Sequence, residues 1–281
     1  MTRLSGRRIE FWVEARGGRP AVNPIMRALL DELVADGASV AVRVPEHDVI
    51  VPDAATPDLV LLKTATTLGL AVALAEEARG VRCLNGARVT WAAHDKAAVI
   101  ARLAAAGLPV PPTLLTAAPT VATPAGIDGG HAWVTKPVRG VHGHGVVFHD
   151  AFPTRIDVTP AVHNYVVDDG TRLIQQRVGR DEADVKVYVA DGRCFAGRKR
   201  FGPASYATDD VEPVDLHHQS EEIVHAAGKA LGLRCFGADL RFENGALALI
   251  DVNPFPGYRG FPAAIPALRA EVDRRLEGGA P

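Results

Sequence analysis

The sequence predicts a chain of mixed α/β and α+β class: an open parallel α/β unit, followed by a strand-rich unit that closes on a hairpin. Three observations carry this. Up to residue 84, short apolar runs alternate with segments of helical period, the pattern of parallel strands joined by crossover helices. Past residue 110, strand-like runs outnumber helical ones. Two turn dipeptides, Asp191-Gly192 and Asn244-Gly245, each divide a pair of apolar runs, as hairpin turns do. A length of 281 residues with 47% hydrophobic content supplies real cores for one large or two modest domains.

Taken in order, residues 8–13 (RIEFWV) read as a first strand and residues 14–24, with Gly17, Gly18 and Pro20, as a loop. That loop holds no GxGxxG, so a dinucleotide fingerprint is absent. Residues 25–35 repeat apolar side chains at helical spacing, 38–44 and 58–62 read as strands, 65–78 as a helix and 81–84 as a fourth strand. Residues 85–95 read as a linker with a short helix, and 96–106 as a helix ended by Gly107. The prolines at 109, 111 and 112 forbid its continuation and favour extended chain. Strands are expected at 132–136, 145–148 and 171–176, with hairpin arms at 185–190 and 193–200. Residues 206–214 read as an acidic surface loop, and 220–231 as a helix terminated by Gly232. Hairpin arms at 235–242 and 246–252 and a last helix at 263–276 complete the chain. The expected boundaries are a first domain over residues 1–90 and a second over 91–281, the latter divided near residue 175 into a central part (110–175) and a C-terminal part (176–281).

Bulk properties narrow the function. A formal charge of −2 implies no general basic surface for nucleic acid. Cys83, Cys194 and Cys235 are scattered, without a CxxC or zinc spacing, and fit a reducing cytoplasm. The basic start leads into no long apolar run, and the apolar stretch 59–75 is broken by Lys63 and closed by Glu76 and Glu77. Neither a signal peptide nor a membrane span is expected.

The chemistry gathers in three places. Asp239 lies on one arm of the last hairpin, and Asp251 and Asn253 lie two apart on the other, so both point to one face. Two carboxylates and an amide oxygen are hard donors suited to Mg2+, the ion that accompanies nucleotide phosphates. Residues 134–147 read as strand, glycine loop, strand, with Gly140, Gly143 and Gly145 free to lay backbone N–H groups on phosphate and Lys136 on the strand that feeds them. No GK[ST] follows, so this is not a Walker A loop. His142 and His144 within it are candidates for phosphate or substrate contact, or plain solvent-facing positions. Residues 173–178 can present main-chain groups to an adenine edge, with Gln176 alongside. Asp184 suits either a ribose hydroxyl or a cap. Lys186, Arg198, Lys199 and Arg200 form the densest basic set beyond the N-terminus; alternation puts Arg198 and Arg200 on one face and Lys199 on the other. A cationic face beside magnesium ligands suits spread phosphate charge.

Together these residues resemble the ATP-grasp superfamily over nearly the whole chain. The resemblance implies an ATP-grasp fold with an N-terminal pre-ATP-grasp domain, and ATP and Mg2+ as cofactors. It assigns Lys96 and Lys136 as nucleotide lysines, Gly140 to Gly145 as the phosphate loop, Gln175, Gln176, Arg177 and Val178 as the adenine hinge, and Asp239, Asp251 and Asn253 as the magnesium set. Two branches are similar. Asp184-Val185-Lys186 followed by Arg198 to Arg200 resembles the RimK-type ligases, which join a carboxylate to an amine through an acyl phosphate. This chain has Asp251 where they usually carry Glu, and Lys186 where they usually carry Arg. The run IDVNPFPGY (250–258) and Lys186-Val187-Tyr188-Val189 resemble the inositol polyphosphate kinases of the ITPK type, with His142 or His144 standing for their loop histidine. As a ligase, the enzyme would use Lys186, Arg198 and Arg200 on the transferred group, with Arg200 steadying the acyl phosphate. As a kinase, it would phosphorylate a hydroxyl of a polyol. A non-catalytic ATP-binding module is a third reading. The acceptor, a small molecule or peptide, would lie between the first domain, the glycine loop and Gly257-Tyr258-Arg259, near Glu14, Arg16 and Lys63. No nucleic-acid or membrane partner is expected; a homodimer is possible.

Overall fold

The computed structural model describes residues 3–48, 56–140, 143–163, 165–179, 183–200 and 211–278. The chain opens with β1 (Arg8–Val13), a two-stranded ribbon of β2 (Ala15–Arg16) and β3 (Arg19–Pro20), α1 (Pro24–Ala35), β4 (Ser39–Arg43), β5 (Leu59–Lys63), α2 (Thr67–Ala78) and β6 (Arg82–Leu84). The four longer strands form a parallel sheet in the order β4-β1-β5-β6. Such a sheet is covered on both faces, which is why its central strands are almost uninterrupted apolar runs. Leu59, Val60, Leu61 and Leu62 are all fully buried. Phe11, Leu59 and Leu61 share one core with α1, while Trp12, Val60 and Leu62 share another with α2. Asn23 caps α1 by accepting the Met26 N–H, with Pro24 in the first turn, and Thr66 caps α2 through the Gly69 N–H.

Two helices, α3 (Ala87–Ala93) and α4 (Lys96–Ala105), lead to a second sheet. Its strands are β7 (Thr113–Thr116), β8 (Trp133–Pro137) and β9 (Val147–His149), then, after a small ribbon of β10 (Ala161–His163) and β11 (Val166–Asp168), β12 (Arg172–Gln176). The order is β7-β12-β8-β9, antiparallel throughout. The third sheet holds β13 (Ala183–Ala190), β14 (Arg193–Arg200), β15 (Glu212–Pro213), β16 (Phe236–Glu243) and β17 (Ala246–Pro254), in the order β15-β14-β13-β16-β17. Helix α5 (His218–Leu231) covers one face of it, burying Val224, Ala227 and Leu231 against Val187, Val189 and Ala238. Both hairpins turn on residues at positive φ, Asp191 (51°) with Gly192 (65°) and Asn244 (51°) with Gly245 (81°), the turn that matches strand twist. Gly232 closes α5 at φ 73°.

The expected loop at 14–24 contains the β2–β3 ribbon. Of the expected surface loop at 206–214, residues 206–210 lie outside the described residues, and Glu212–Pro213 pairs with β14 at Gly197 and Arg198. The β10–β11 ribbon was not anticipated. Strands of two or three residues carry too few side chains for alternation to be read. Among the described residues, no helix is long and apolar enough to cross a membrane.

The first sheet is not an appendage. The last helix, α6 (Ile265–Leu276), returns to it, and Leu268, Val272 and Leu276 join the core of Phe11 and Leu33. Asn85, 2% exposed, ties the units together: its side-chain oxygen accepts the N–H groups of Arg234 and Cys235 (both 3.0 Å), and its amide donates to the Cys235 carbonyl (2.7 Å). Truncation would leave buried backbone donors and an acceptor without partners. Asn85→Ala should cost about 3 kcal/mol of stability, read as a lowered midpoint in urea unfolding.

Candidate active site

A cavity of about 730 Å³ opens where the three sheets converge. Its floor is the β16–β17 hairpin. Asp239 stands directly opposite Asp251 across the antiparallel pair, and a bulge follows between Asp239 and Leu240. Asn253, two residues on, shares their face, and all three side chains line the cavity. Two carboxylates and an amide are a hard-oxygen set that fits Mg2+. Among the described residues, no group of three or more His, Cys, Asp or Glu side chains forms a different metal site.

Each carboxylate holds an ammonium. Lys96 Nζ, from the first turn of α4, lies 2.7 Å from Asp251 Oδ2, and Lys186 Nζ, from β13, lies 2.7 Å from Asp239 Oδ2. Burial alone would push the Asp251 carboxyl up, but Lys96 and Lys136 outweigh it and hold Asp251 below the usual carboxylate range. Burial likewise opposes the charge on Lys186, and Asp239 and Asp184 more than offset it, so its pKa is raised.

Lys136, 8% exposed on β8, donates to Gln175 Oε1 (3.0 Å) and to the Ile250 carbonyl (2.8 Å). Gln175 in turn donates to Thr113 Oγ1 (3.1 Å). Burial lowers the Lys136 pKa to about 8, with repulsion from Lys96 added and attraction from Asp251 opposing. Gln175, expected at the adenine hinge, is 1% exposed and its side chain is committed to Lys136. Gln175, Arg177 and Val178 line the cavity, and Gln176 between them does not. The Arg177 guanidinium lies over the Phe148 ring, 5.1 Å from its centroid. Phe148, 45% exposed, forms with Val134, Val146, Val178 and Ile250 an apolar slot suited to a flat base. Phe148 and Val146 were missed; their signal was an apolar pair on a strand that leaves the glycine loop.

Gly140, Gly143 and His144 line the cavity, and Gly145 does not. A Cβ at Gly145 would come 2.8 Å from Pro137 Cγ, and its φ is 72°, so only glycine lets the loop fold back on its strand. His144 stacks on His163 at 4.3 Å. His142 lies outside the described residues.

The basic hairpin corrects one expectation. Asp184 pairs with Lys199 across β13–β14, and Asp184, Lys186 and Lys199 all face the cavity. Strand alternation therefore turns Arg198 and Arg200 to the opposite, exposed face, and Lys199, 5% exposed, occupies the place expected of Arg200. Asp184 lines the cavity, but its carboxylate is engaged by the Arg241 guanidinium, and burial with the neighbouring Asp239 pushes its pKa up.

The far wall comes from the first sheet and the chain after β17: Glu14, Arg16, Asn23, Lys63, Gly257 and Arg259. Tyr258, expected to meet substrate, is fully buried, and its hydroxyl donates to the Val189 carbonyl (2.7 Å), so it belongs to the core. His94 was also missed. It lines the cavity between the two halves, and burial, aided by Lys96 and Arg139, lowers its pKa to about 3, which keeps the imidazole neutral. Its only sequence signal was its place before Asp95-Lys96 at a helix start.

The depressed Lys136 pKa has two consequences. Between about 8 and its ordinary 10.5, the unfolded chain binds the proton that the folded chain has released, so this group makes stability rise with pH across that window. Binding runs the other way, because a neutral amine holds phosphate poorly. The dissociation constant for a nucleoside triphosphate should rise as pH passes about 8, and Lys136→Arg, whose guanidinium stays charged, should flatten that rise. Calorimetric titrations from pH 6.5 to 9.5 check both.

Comparison with known proteins places this geometry. The RimK-like ATP-grasp domain family matches residues 93–269. The probable alpha-L-glutamate ligase of Haemophilus influenzae is 24% identical over 218 residues, covering 75% of this chain and 69% of that protein. The crystal structure of a RimK domain ATP-grasp protein from Sphaerobacter thermophilus superposes with a TM-score of 0.69 at 16% identity, over 96% of this chain and all of that one. The ATP-grasp ligase PsnB, complexed with minimal precursor, Mg and ADP, gives a TM-score of 0.62 at 18% identity, over 96% of this chain and 98% of that one. None of these is a kinase, and the resemblance to inositol polyphosphate kinases finds no support in them. With a match that takes in both lysines of the phosphate end, the glycine loop and the whole acidic hairpin, the chain belongs to the RimK-like ATP-grasp family.

Proposed function

We propose that this protein is an ATP-dependent carboxylate–amine ligase acting on a small molecule or a peptide. The observation that carries the reading is the convergence of Asp239, Asp251 and Asn253 with Lys96, Lys136 and Lys186 in one cavity, between an apolar slot and a polar far wall. The family membership and the ligases among its relatives support it. PsnB, complexed with Mg and ADP, supports ATP and Mg2+ as the cofactors, and its precursor supports a peptide among the possible acceptors.

In this reading ATP and a carboxylate exchange the γ-phosphoryl group, giving ADP and an acyl phosphate. An amine then attacks the acyl carbon, phosphate leaves and an amide remains. The base occupies the slot of Phe148, Val134, Val178 and Ile250. Lys96, Lys136 and the glycine-loop backbone bind the phosphates. Asp239, Asp251 and Asn253 would hold Mg2+, which neutralises phosphate charge as the group is transferred. Lys186 and Lys199, on adjacent strands of the third sheet and facing one cavity, hold the anionic acyl phosphate, and the enclosed walls keep water from it. No covalent side-chain nucleophile is required. Residues 1–90 act as the part that selects the acceptor, and residues 91–281 as the part that spends the nucleotide.

Product analysis tests the reading. With ATP, Mg2+ and pooled carboxylates and amines, phosphate release should require two organic substrates and yield a mass equal to their sum less one water. A single acceptor gaining one phosphoryl group would overturn it. Asp251→Ala and Asn253→Ala should each lower kcat by about 100-fold or more while the protein stays folded by circular dichroism.

A further inference from the structure

One cavity-lining group has no part in handling the nucleotide: the imidazole of His94. It stands in the joint between α3 and α4, and that joint is fastened on every side. The His94 backbone N–H donates to the Thr90 carbonyl (3.2 Å), Asp95 caps α4 by accepting the Ala98 N–H (2.9 Å), and the Lys96 N–H donates to the Val138 carbonyl (3.1 Å) at the root of the glycine loop. The ring itself hydrogen-bonds the Thr64 backbone in the sense that favours a protonated nitrogen, so a ring N–H donates to the Thr64 carbonyl. Thr64 follows β5, at the carboxyl end of the first sheet, where ligands of open parallel sheets gather. His94 is thus pinned where the far wall meets the phosphate end.

Three cations act on this ring: Lys96 from α4, Arg139 from the root of the glycine loop and Lys63 from the end of β5. Burial and these charges together keep it neutral. A neutral imidazole that gives its N–H to a carbonyl has one polar function left, the lone pair of its other nitrogen. The cavity's carboxylates are committed elsewhere: Asp251 to Lys96, Asp239 to Lys186 and Asp184 to Arg241. Glu14 accepts the Ala65 N–H (3.2 Å) and has Lys63 as its leading charged neighbour. His94 is therefore an uncharged acceptor set among cations. The field that keeps a proton off the ring acts equally on an amine beside it, and favours the free amine over its ammonium form. Only the free amine has a lone pair with which to attack.

We infer that His94 receives the attacking amine in its uncharged form, accepting one of its N–H bonds and so turning the amine lone pair to the acyl carbon. The inference deepens the ligase reading and rests on it. The ammonium form gives its proton to water before it enters. The C–N bond then forms, and the bond from the acyl carbon to the phosphate oxygen breaks with its electron pair leaving on phosphate. The proton that the nitrogen sheds departs on the same phosphate. His94 stays neutral throughout: it holds the nucleophile and carries no proton.

The two half-reactions separate these roles. ATP carrying heavy oxygen in its β–γ bridge scrambles that label when a carboxylate is reversibly phosphorylated, and no amine is needed. Amino acids, screened singly as carboxylates, should support scrambling in the wild type, and amide formation once a second amino acid or hydroxylamine is added. His94→Leu should keep the scrambling within about twofold and lower kcat/KM for the amine by about 100-fold. His94→Gln, whose amide group can both donate to Thr64 and accept from the amine, should recover most of the loss. His94→Asn, too short to do both, should behave as His94→Leu does and gives the same comparison if the apolar variant does not fold. In the wild type, KM for the amine should fall as pH rises toward that amine's own pKa. The inference is overturned if His94→Leu and His94→Asn keep kcat/KM for the amine, if they lose scrambling in step with amide formation, or if the wild-type KM for the amine does not fall with pH. A wild type that shows neither carboxylate-dependent scrambling nor an amide overturns the ligase reading, and the inference with it.

Discussion

Two carboxylates facing each other across a strand pair repel, and the rest of the molecule is arranged around that repulsion at Asp239 and Asp251. The compensation comes from three separate elements: Lys96 from a helix, Lys136 from the second sheet and Lys186 from the neighbouring strand of the third. None of these can move far without leaving buried charge unmatched. The floor of the cavity is thus the point where the second and third sheets are registered against each other. Lys96 and Lys136 hold Asp251 in its charged form, the form a divalent cation requires of a carboxylate ligand.

The same economy appears where the first sheet meets the rest. Three hydrogen bonds from Asn85 fasten the end of β6 to the start of β16, and Asn23 both caps α1 and donates to the Gly257 carbonyl (2.9 Å). A Cβ at Gly257 would come 2.6 Å from that Asn23 amide, so glycine is required for the approach. Helix α6 then seals the joint with apolar side chains. The far wall of the cavity is consequently tied to its floor by polar and apolar contacts alike. A site split between units needs this if a carboxylate, an amine and a phosphate are to meet in line.

Legibility followed the range of the signal. The parallel strands, the helices and both hairpins were readable because alternation, helical period and turn dipeptides are local. Short ribbons such as β10–β11 were not, since three residues hold no period. At the site, the acidic hairpin was readable because Asp251 and Asn253 share a strand and Asn244-Gly245 turns Asp239 back toward them, but the turn alone would set Asp239 opposite Ile250, and the bulge between Asp239 and Leu240 sets it opposite Asp251. The face of β14 was not, because alternation separates Lys199 from Arg198 and Arg200 without saying which side meets the cavity. Tyr258 was misplaced for a related reason: a polar group near a site can face the core, and only its partner, the Val189 carbonyl, reveals that.

By itself, then, the sequence determined the order of elements, the hairpin that carries Asp239, Asp251 and Asn253, and the glycine loop after Lys136, because each depends on residues close along the chain or joined by one turn. Tertiary structure decided which lysines meet which carboxylates, and that Lys199 rather than Arg200 faces the cavity. Those outcomes depend on how three sheets pack, and packing brings together side chains as far apart as Lys96 and Asp251, whose separation along the chain carries no trace of their contact.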